Sequence, residues 1–355
     1  MKQVSLKIVN ITKIFKDFKN NEIRAVDNIS FEIIPGEFVT LLGPSGCGKT
    51  TTLRMIAGFE KPTEGKIFIN DINVVEIPPW KRDIAMVFQS YGLFPHMSVG
   101  ENIAYGLKMR KIQKEESQKK VKEILRIVGL EGFEDRPPSS LSGGQQQRIA
   151  LARALVIEPS VLLFDEPLSN LDALLREQMR IEIKRIQKEV GITAIYVTHD
   201  RTEALTLSDK IVLMKDGKIE QIGNPEDVYE KPVNKFVGEF MGKIFFFPIQ
   251  VLDILEKETL VRLKDRVYKI PSLPTDKADN YVLGCRTEAL KISSDGPIEG
   301  KIKTIVYLGE SSEYYIDTEY GEIMIRVLSP FDKNLSEGKS VKIDLVPEIA
   351  KIIPD

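Results

Sequence analysis

The stretch Gly43-Pro44-Ser45-Gly46-Cys47-Gly48-Lys49-Thr50 has the residue types and spacing of a phosphate-binding loop. The apolar residues 37–42 before it predict a buried strand, and residues 51–57 after it predict a helix. Together they direct backbone N–H groups at one point, which suits phosphate oxygens. In such a loop, Lys49 reaches the β- and γ-phosphates of a nucleotide, and the Thr50 hydroxyl binds magnesium. An ordinary glycine-rich turn is the alternative, and the flanking elements favour the nucleotide site.

Two carboxylates and an amide supply the oxygen atoms that such a site needs. Asp165 and Glu166 come directly after residues 161–164, an apolar run that predicts a buried strand. Asp165, at the strand end, would hold magnesium through water, and Glu166 would polarise the attacking water. Gln89 follows a similar run at 83–88, and its side-chain oxygen can bind metal or water.

Two further polar positions lie at predicted helix starts. In Leu141-Ser142-Gly143-Gly144-Gln145, Ser142 is a good N-cap for an apolar helix, and the two glycines leave the helix N-terminus open for an anion. His199 follows a predicted buried strand at 193–197, on the edge where ligands bind in open parallel sheets. A structural cap is the alternative for His199, and the residues alone favour that alternative.

Aromatic and apolar residues outside the predicted elements each allow two interpretations. Phe15 or Phe18 could present a ring for adenine to stack on, whereas a lone aromatic near an N-terminal strand more often belongs to a core. The loop after Gln89 either docks a partner or forms a small core of its own. Its apolar residues are Tyr91, Leu93, Phe94 and Met97.

Length and composition limit the classes of protein. A chain of 355 residues predicts two domains, and 42% hydrophobic with 29% charged residues is typical of a globular protein. A formal net charge of −2 gives no support to a nucleic-acid partner, and no apolar run is long enough to span a bilayer. Two cysteines, Cys47 and Cys285, cannot form a disulfide framework. We expect a cytosolic protein.

In their order along the chain, these motifs resemble the ATPase subunit of an ATP-binding cassette (ABC) transporter. Each of the family's six motifs occurs once. They are the Walker A loop (43–50), the Q-loop glutamine (Gln89), the signature (141–145), the Walker B strand (161–165) with Glu166, the D-loop (169–172) and the switch histidine (His199).

The resemblance implies an α/β fold: a P-loop NTPase cassette with a mixed sheet and a helical subdomain, over residues 1–240. It also implies a head-to-tail homodimer with two ATP molecules, each held by one subunit's Walker A loop and the other's signature helix. The resemblance favours a functional role for His199 over that of a structural cap. It also favours Phe15 over Phe18 as the ring that stacks on adenine.

The resemblance also assigns the site residues by role. Catalysis would fall to Glu166, His199, Lys49 and Gln89, and magnesium to Thr50, Gln89 and Asp165. ATP would be bound by Phe15, Gly43, Pro44, Ser45, Gly46, Cys47, Gly48, Lys49, Thr50, Thr51, Gln89, Ser142, Gly143, Gly144, Gln145, Asp165, Asp172 and His199.

The sequence pattern changes in residues 241–355, which contain short strand-like runs such as 244–251 and no long helical pattern. This pattern predicts an all-β unit. Gly284-Cys285-Arg286-Thr287-Glu288 resembles the Gly-x-Arg-x-Glu element of TOBE-like modules, which are OB-like β-barrels appended to importer ATPases. The resemblance implies a regulatory or dimerisation role. The stretch 307–315 is similar to the polyamine and ferric-iron group, with an anion importer also open and a sugar importer as the alternative.

The resemblance therefore implies an ATP-hydrolysing motor subunit of a solute importer. Its partners would be transmembrane permease subunits and, through them, a solute-binding protein, and its place would be cytoplasmic, on the inner face of the cell membrane. A soluble ABC ATPase of DNA maintenance is the next alternative, but its two halves need a long coiled coil that this chain lacks between Gln89 and Ser142. A small-molecule kinase would have no use for the signature.

Overall fold

The apolar runs of the sequence become strands and helices over residues 4–271, 280–329 and 335–355, which this computed structural model describes. Contacts along the chain separate two units, residues 1–225 and residues 226–355, here called unit 1 and unit 2. Each unit has its own buried apolar cluster or clusters. The prediction of an α/β part followed by an all-β part is therefore confirmed.

Unit 1 alternates strands with helices. Its strands are β1 (Leu6–Lys16), β2 (Glu22–Ile33), β3 (Phe38–Leu42), β4 (Glu64–Ile69), β5 (Ile72–Asn73), β6 (Ile84–Val87), β7 (Val161–Asp165), β8 (Thr193–Thr198), β9 (Lys210–Lys215) and β10 (Lys218–Gly223). Its helices are α1 (Lys49–Ala57), α2 (Val99–Met109), α3 (Lys114–Ile127), α4 (Gly143–Leu155), α5 (Ala173–Val190) and α6 (Arg201–Leu207).

The central sheet of unit 1 is buried on both faces. Its strand order is β10-β9-β3-β8-β7-β6, parallel except for β10. Successive side chains of a strand point to opposite faces. Accordingly, Phe38 and Phe164 belong to the core shared with the helices α2 to α5, whereas Val39 and Leu163 belong to the core shared with α1. Because both faces of the sheet are buried, the sequences of these strands are continuous apolar runs.

Strand register brings three strand ends together. Leu42 of β3 pairs with Thr198 of β8, and Asp165 of β7 pairs with Val197 of β8. The phosphate loop, Glu166 and His199 directly follow these strands. The sheet therefore positions all three at one edge, the carboxyl edge of the parallel strands.

The remaining elements of unit 1 cover this sheet. Strands β2, β1, β4 and β5 form an antiparallel sheet in that order. Helix α3 is amphipathic, with Val121, Ile124 and Leu125 buried. The buried Arg82 guanidinium donates to the carbonyls of Met55 and Ile56 at 2.8 and 2.6 Å, which fixes the C-terminal end of α1.

Unit 2 is built from short antiparallel strands after two helices. The helices are α7 (Pro225–Glu230), which begins at the boundary, and α8 (Lys235–Met241). The strands are β11 (Ile244–Pro248), β12 (Gln250–Ile254), β13 (Thr259–Leu263), β14 (Arg266–Ile270), β15 (Tyr281–Arg286), β16 (Leu290–Ser293), β17 (Ile298–Tyr307), β18 (Ser311–Thr318), β19 (Gly321–Leu328), β20 (Ser340–Leu345) and β21 (Lys351–Pro354).

These strands form three sheets, with orders β11-β15-β21, β12-β13-β14 and β16-β20-β17-β18-β19. The single strand predicted at 244–251 is two strands in different sheets, because the chain leaves the first sheet after Pro248 and joins the second at Gln250. Strands β16 and β21 match none of the strand-like runs of the sequence, which are 244–251, 260–263, 267–270, 281–285, 300–308, 312–318, 323–327 and 341–346. Each of these two strands spans only four residues, which is too short for a clear alternation.

The two units divide at Pro225, whereas the sequence analysis sets the boundary after residue 240. The physical reason lies at Arg286, in the element that resembles the TOBE module. Its guanidinium donates to the carbonyl of Tyr229 at 2.6 Å and to that of Gly238 at 3.4 Å, and it lies 3.8 Å from the Tyr229 ring centroid. Helices α7 and α8 therefore belong structurally with the β strands.

Candidate nucleotide-binding site

The glycines of the phosphate loop serve different purposes. Gly43, Gly46 and Gly48 all have positive φ angles, of 151°, 82° and 99°. A Cβ at Gly43 would lie 2.2 Å from the carbonyl oxygen of Met214, and one at Gly48 would lie 2.4 Å from that of Ala25. A Cβ at Gly46 would meet no described atom within 4 Å. The fold therefore requires glycine at positions 43 and 48, whereas Gly46 faces open space in the curve of the loop.

Lys49 lies folded inside the loop. Its ammonium donates to the carbonyls of Gly43 and Pro44, both at 2.8 Å, and lies 3.8 Å from the Cys47 sulfur. Helix α1 begins at Lys49, and its first turn carries no acidic residue. The ammonium and the helix N-terminus together make this point strongly attractive to an anion.

The structure brings Thr50 and Asp165 together. The Thr50 hydroxyl lies 3.3 Å from Asp165 Oδ1, although the two residues come from different elements, α1 and β7. Burial raises the pKa of Asp165, and the neighbouring Glu166 charge raises it further, against the hydrogen bond from Thr50 and the charge of Arg54. A partly desolvated carboxylate beside a hydroxyl is a pair of hard oxygen donors.

Glu166 and His199 form a second pair. His199 Nδ1 lies 3.3 Å from Glu166 Oε1. Glu166 has a φ of 44°, rare for a residue with a side chain, and its N–H donates to the Val197 carbonyl at 3.1 Å. The neighbouring strand thus holds the backbone of Glu166 in a strained conformation, as is common where a side chain must point at a reaction centre.

The signature residues 141–145 confirm Ser142 as the N-cap of α4 and add contacts that the sequence analysis did not foresee. Ser142 and Gln145 form a reciprocal capping box at the start of α4: the Gln145 N–H donates to the Ser142 hydroxyl at 3.4 Å, and the Ser142 N–H donates to Gln145 Oε1 at 3.0 Å. A Cβ at Gly144 would lie 2.8 Å from Leu175. Capping by Ser142 and Gln145 and close packing at Gly144 therefore account for part of the signature sequence.

The D-loop links Glu166 to Gln89. The Ser169 hydroxyl donates to the Glu166 carbonyl at 2.9 Å, and the Asn170 amide donates to the Gln89 carbonyl at 3.0 Å. Asp172 caps α5 by accepting from the Leu175 N–H at 3.0 Å. The side chain of Gln89 is exposed, so the recorded contact fixes its backbone.

Of the remaining predicted residues, some belong to the phosphate loop and the start of α1, and Phe15 belongs to β1. Ser45, Gly46 and Thr50 are exposed, and Thr51 is half-buried in the first turn of α1. Phe15, near the end of β1, is 37% exposed, with the Lys13 ammonium 4.8 Å from its ring centroid. A partly exposed ring on a strand can stack on a base.

The apolar loop after Gln89 is partly core. Tyr91 is buried, and Leu93 packs against the helical core of unit 1. Phe94 contacts Tyr105, with 4.8 Å between ring centroids. Tyr91 belongs to the main helical core of unit 1 rather than to a small core of its own, while Phe94 and Met97 are half-buried.

Sequence reasoning missed Arg153, which holds this loop. Its guanidinium donates to the carbonyls of Gly92 at 2.6 Å and Tyr91 at 2.9 Å, and burial lowers its pKa. Arg153 belongs to α4, the helix that begins at the signature. The available signal was a charged residue inside the apolar run 149–156.

Comparisons with known proteins agree with this geometry. The family model described as "ABC transporter" matches residues 26–169, and the one described as "TOBE domain" matches residues 283–350. A Fe(3+) ions import ATP-binding protein of Rhizobium etli is 45% identical over 336 residues, covering 94% of this chain and 93% of the relative. A spermidine/putrescine import ATP-binding protein of Clostridioides difficile is 45% identical over 343 residues, covering 96% of each.

The chain belongs to the ABC transporter family. A solved dimeric ATP-binding cassette, in a post-hydrolysis state with ADP and phosphate, is 35% identical with a TM-score of 0.55, covering 62% of this chain and 98% of its own. A component of an ABC transporter complex from Clostridium perfringens is 31% identical with a TM-score of 0.58, covering 64% and 91%. The predictions of an ABC cassette followed by a TOBE domain, and of an ABC importer ATPase, are confirmed.

Over the described ranges, no helix of this ABC subunit combines the length and apolar character that a bilayer crossing needs.

The two glycine environments of the ABC phosphate loop generate a prediction. Gly46→Ala should keep the fold at a cost of about 1–2 kcal/mol, because only the positive φ is strained. Its Cβ would occupy the curve of the loop and lower ATP affinity. Gly43→Ala should cost more than about 3 kcal/mol because its Cβ overlaps a backbone oxygen. Thermal melting and titration with a fluorescent ATP analogue measure both. Equal destabilisation by the two substitutions would contradict this assignment.

Proposed function

We propose that this ABC subunit hydrolyses ATP at the carboxyl edge of its central sheet, with the residues that the sequence motifs indicate. The observation that carries the proposal is the convergence of two pairs, Thr50 with Asp165 and Glu166 with His199, at the ends of adjacent parallel strands. One pair has the atoms to hold a metal and the other the atoms to activate water. Both lie beside a loop that suits phosphate.

The protein's own groups divide the reaction between them. Lys49 exchanges its bonds to the loop carbonyls for bonds to phosphate oxygens, and the backbone N–H groups of the loop complete the cradle. Glu166 accepts a hydrogen bond from the attacking water and draws its proton away from the oxygen as that oxygen approaches the γ-phosphorus. His199 orients the Glu166 carboxylate through the 3.3 Å contact. Phe15 stacks on adenine.

Magnesium fits this site. When bound, it would neutralise charge on the β- and γ-phosphate oxygens. Thr50 and Asp165 would hold it, with Gln89 contributing from its loop, since hydroxyl, carboxylate and amide oxygens are the ligands that magnesium prefers. The raised pKa of Asp165 supports this role because a nearby cation would offset the cost of keeping a buried carboxylate ionised.

We also propose that two copies of the chain complete each site. Over the described residues, no hydrogen bond joins the signature residues 141–145 to the phosphate loop, yet Ser142 is exposed at an anion-attracting helix N-terminus. In a head-to-tail homodimer, Ser142, Gly143 and Gly144 of one subunit would meet the phosphates held by the other. Closure then follows ATP binding, and hydrolysis reopens the dimer.

For the transported solute, we propose a ferric ion, with a polyamine as the second candidate. Relatives named for Fe(3+) import are 45–46% identical, and one named for spermidine/putrescine import is 45% identical. The ATPase would act on the cytoplasmic side of a permease that receives the solute from a binding protein. Stimulation of the assembled complex by the loaded binding protein, with Fe(3+) compared against spermidine, tests the choice.

We propose that unit 2 holds two subunits together between turnovers. At one end of its five-stranded sheet, Tyr307, Leu308 and Leu328 are exposed by 70%, 51% and 69%. The Leu308 N–H donates to the Ser311 carbonyl at 2.9 Å and Ser311 pairs with Leu328, which places Leu308 and Leu328 near each other at this end of the sheet. Tyr307 pairs with Ser312 and therefore lies on the other face. An exposed apolar cluster of this kind is typical of a protein contact surface.

The first experiment tests the role of Glu166. Glu166→Gln keeps the shape of the side chain but removes its basic oxygen, so turnover should fall by about 10²–10⁴-fold. ATP binding should persist, and a closed dimer should accumulate with ATP on a sizing column. Near-normal hydrolysis by this variant would show that another group activates the water.

The second experiment tests the shared site by mixing two inactive variants. A dimer of Lys49→Ala with Ser142→Arg contains one site with an intact phosphate loop and an intact signature. Random mixing should restore at most about a quarter of the wild-type rate, since half the dimers are mixed and each has one good site. The control mixes Lys49→Ala with a chain that carries both substitutions, in which no site is intact. Equal rates in the two mixtures would rule out the shared site.

The third experiment tests the contact surface of unit 2. Leu308→Asp with Leu328→Asp should convert an ATP-free dimer into a monomer, because two carboxylates would be buried without partners. Val267→Asp is the control, since Val267 is also exposed but lies in a different sheet. Light scattering without ATP measures the mass. A wild-type chain that is already monomeric would contradict the dimerisation role and leave regulation.

A further inference from the structure

A buried carboxylate accepts a hydrogen bond from Thr198, the residue before the switch histidine. Glu203 of α6 is only 3% exposed, and its Oε2 accepts hydrogen bonds from the Tyr196 hydroxyl at 2.8 Å and the Thr198 hydroxyl at 2.7 Å. Burial raises the pKa of Glu203, and these two hydrogen bonds oppose that rise. An ionisable group is rarely buried so fully unless its partners are specific.

Thr198 connects this carboxylate to the backbone on both sides of His199. Its hydroxyl donates to Glu203 and accepts from the Asp200 N–H at 2.9 Å, so both functions of the oxygen are used. Asp200 in turn caps α6, accepting from the Thr202 N–H at 2.7 Å. The residues before and after His199 are thereby fixed, whereas the histidine side chain itself is 56% exposed.

A guanidinium from α5, the helix that follows the D-loop, lies near the Glu203 carboxylate. Arg176 of α5 lies 3.6 Å from Asp200 and 4.0 Å from Glu203, and it donates to the Leu171 carbonyl at 3.1 Å. The Glu203 carboxylate therefore links its own helix, α6, to strand β8 and to helix α5.

We propose that Glu203 and Thr198 are positioning residues that hold the 198–200 backbone so that the His199 imidazole meets the Glu166 carboxylate. This inference rests on the role proposed above for His199. Neither residue touches the reacting atoms. Their effect is geometric, since a shift of about 1 Å in a catalytic group can lower a rate by about 10²-fold.

A purely structural role for these residues predicts a different outcome. Thr198→Val keeps the branched shape and removes the hydroxyl, so Glu203 and the Asp200 N–H each lose a hydrogen bond and the melting temperature should fall in either case. Positioning predicts slower turnover of the folded variant at unchanged ATP affinity. A structural role predicts the lower melting temperature with a normal turnover of the folded variant.

The test measures kcat, KM for ATP and the melting temperature of full-length variants. Thr198→Val should lower kcat by about 10–100-fold with KM within about twofold, and Thr198→Ser should recover most of the rate. Thr198→Ala serves as a second hydroxyl deletion should the valine fail to fold. Thr206→Val is the matched control, because the Thr206 hydroxyl donates to the Thr202 and Glu203 backbone carbonyls of its own helix.

A double-mutant cycle with His199→Ala then separates the inference from the proposed function. Residues that act through one group give non-additive losses, so Thr198→Val should have no further effect in the His199→Ala background. Normal kcat in both Thr198→Val and Thr198→Ala, or losses that add in full to that of His199→Ala, would overturn the inference alone. Wild-type turnover in His199→Ala would remove the proposed role of His199 and the inference with it.

Discussion

Parallel pairing of β3 with β8 and of β8 with β7 is the constraint on which the site depends. Carboxyl ends of parallel strands meet at one edge, so residues from distant parts of the chain converge there without any direct link. An aromatic cluster fixes the three strands against the helical layer: Phe38, Phe164 and Tyr196, one from each strand, have ring centroids 5.6–6.1 Å apart. Polar chemistry is confined to the strand ends because both faces of the sheet are apolar.

This arrangement explains why so much of the cassette could be predicted from the sequence. A strand that is buried on both faces has a continuous apolar sequence. Strands β3, β7 and β8 lie at the continuous apolar runs of this chain. Each run is followed by residues for which we propose a chemical role, so the motif and the strand support the same placement. Lys49 and Glu166 could be placed in this way because their proposed roles depend on local spacing.

Features that depend on partners distant in sequence could not be predicted. The buried position of Arg153 depends on the carbonyls of Gly92 and Tyr91, and no local pattern specifies such a contact. The capping box at Ser142 is local and could have been found from Ser-x-x-Gln spacing. In unit 2 the strands are short and change sheets, so alternation alone could not divide 244–251 into two strands.

Arg153 fixes the loop after Gln89 through main-chain atoms, and this affects which residues of the loop can change in sequence. Its guanidinium binds main-chain carbonyls, and the Asn102 side chain likewise exchanges hydrogen bonds with the main chain of Phe94. Attachment through the main chain leaves the exposed side chains of the loop free to change without releasing it. Substitutions of these side chains would therefore change the surface that the loop presents, while the loop stays attached to the helix that begins at the signature.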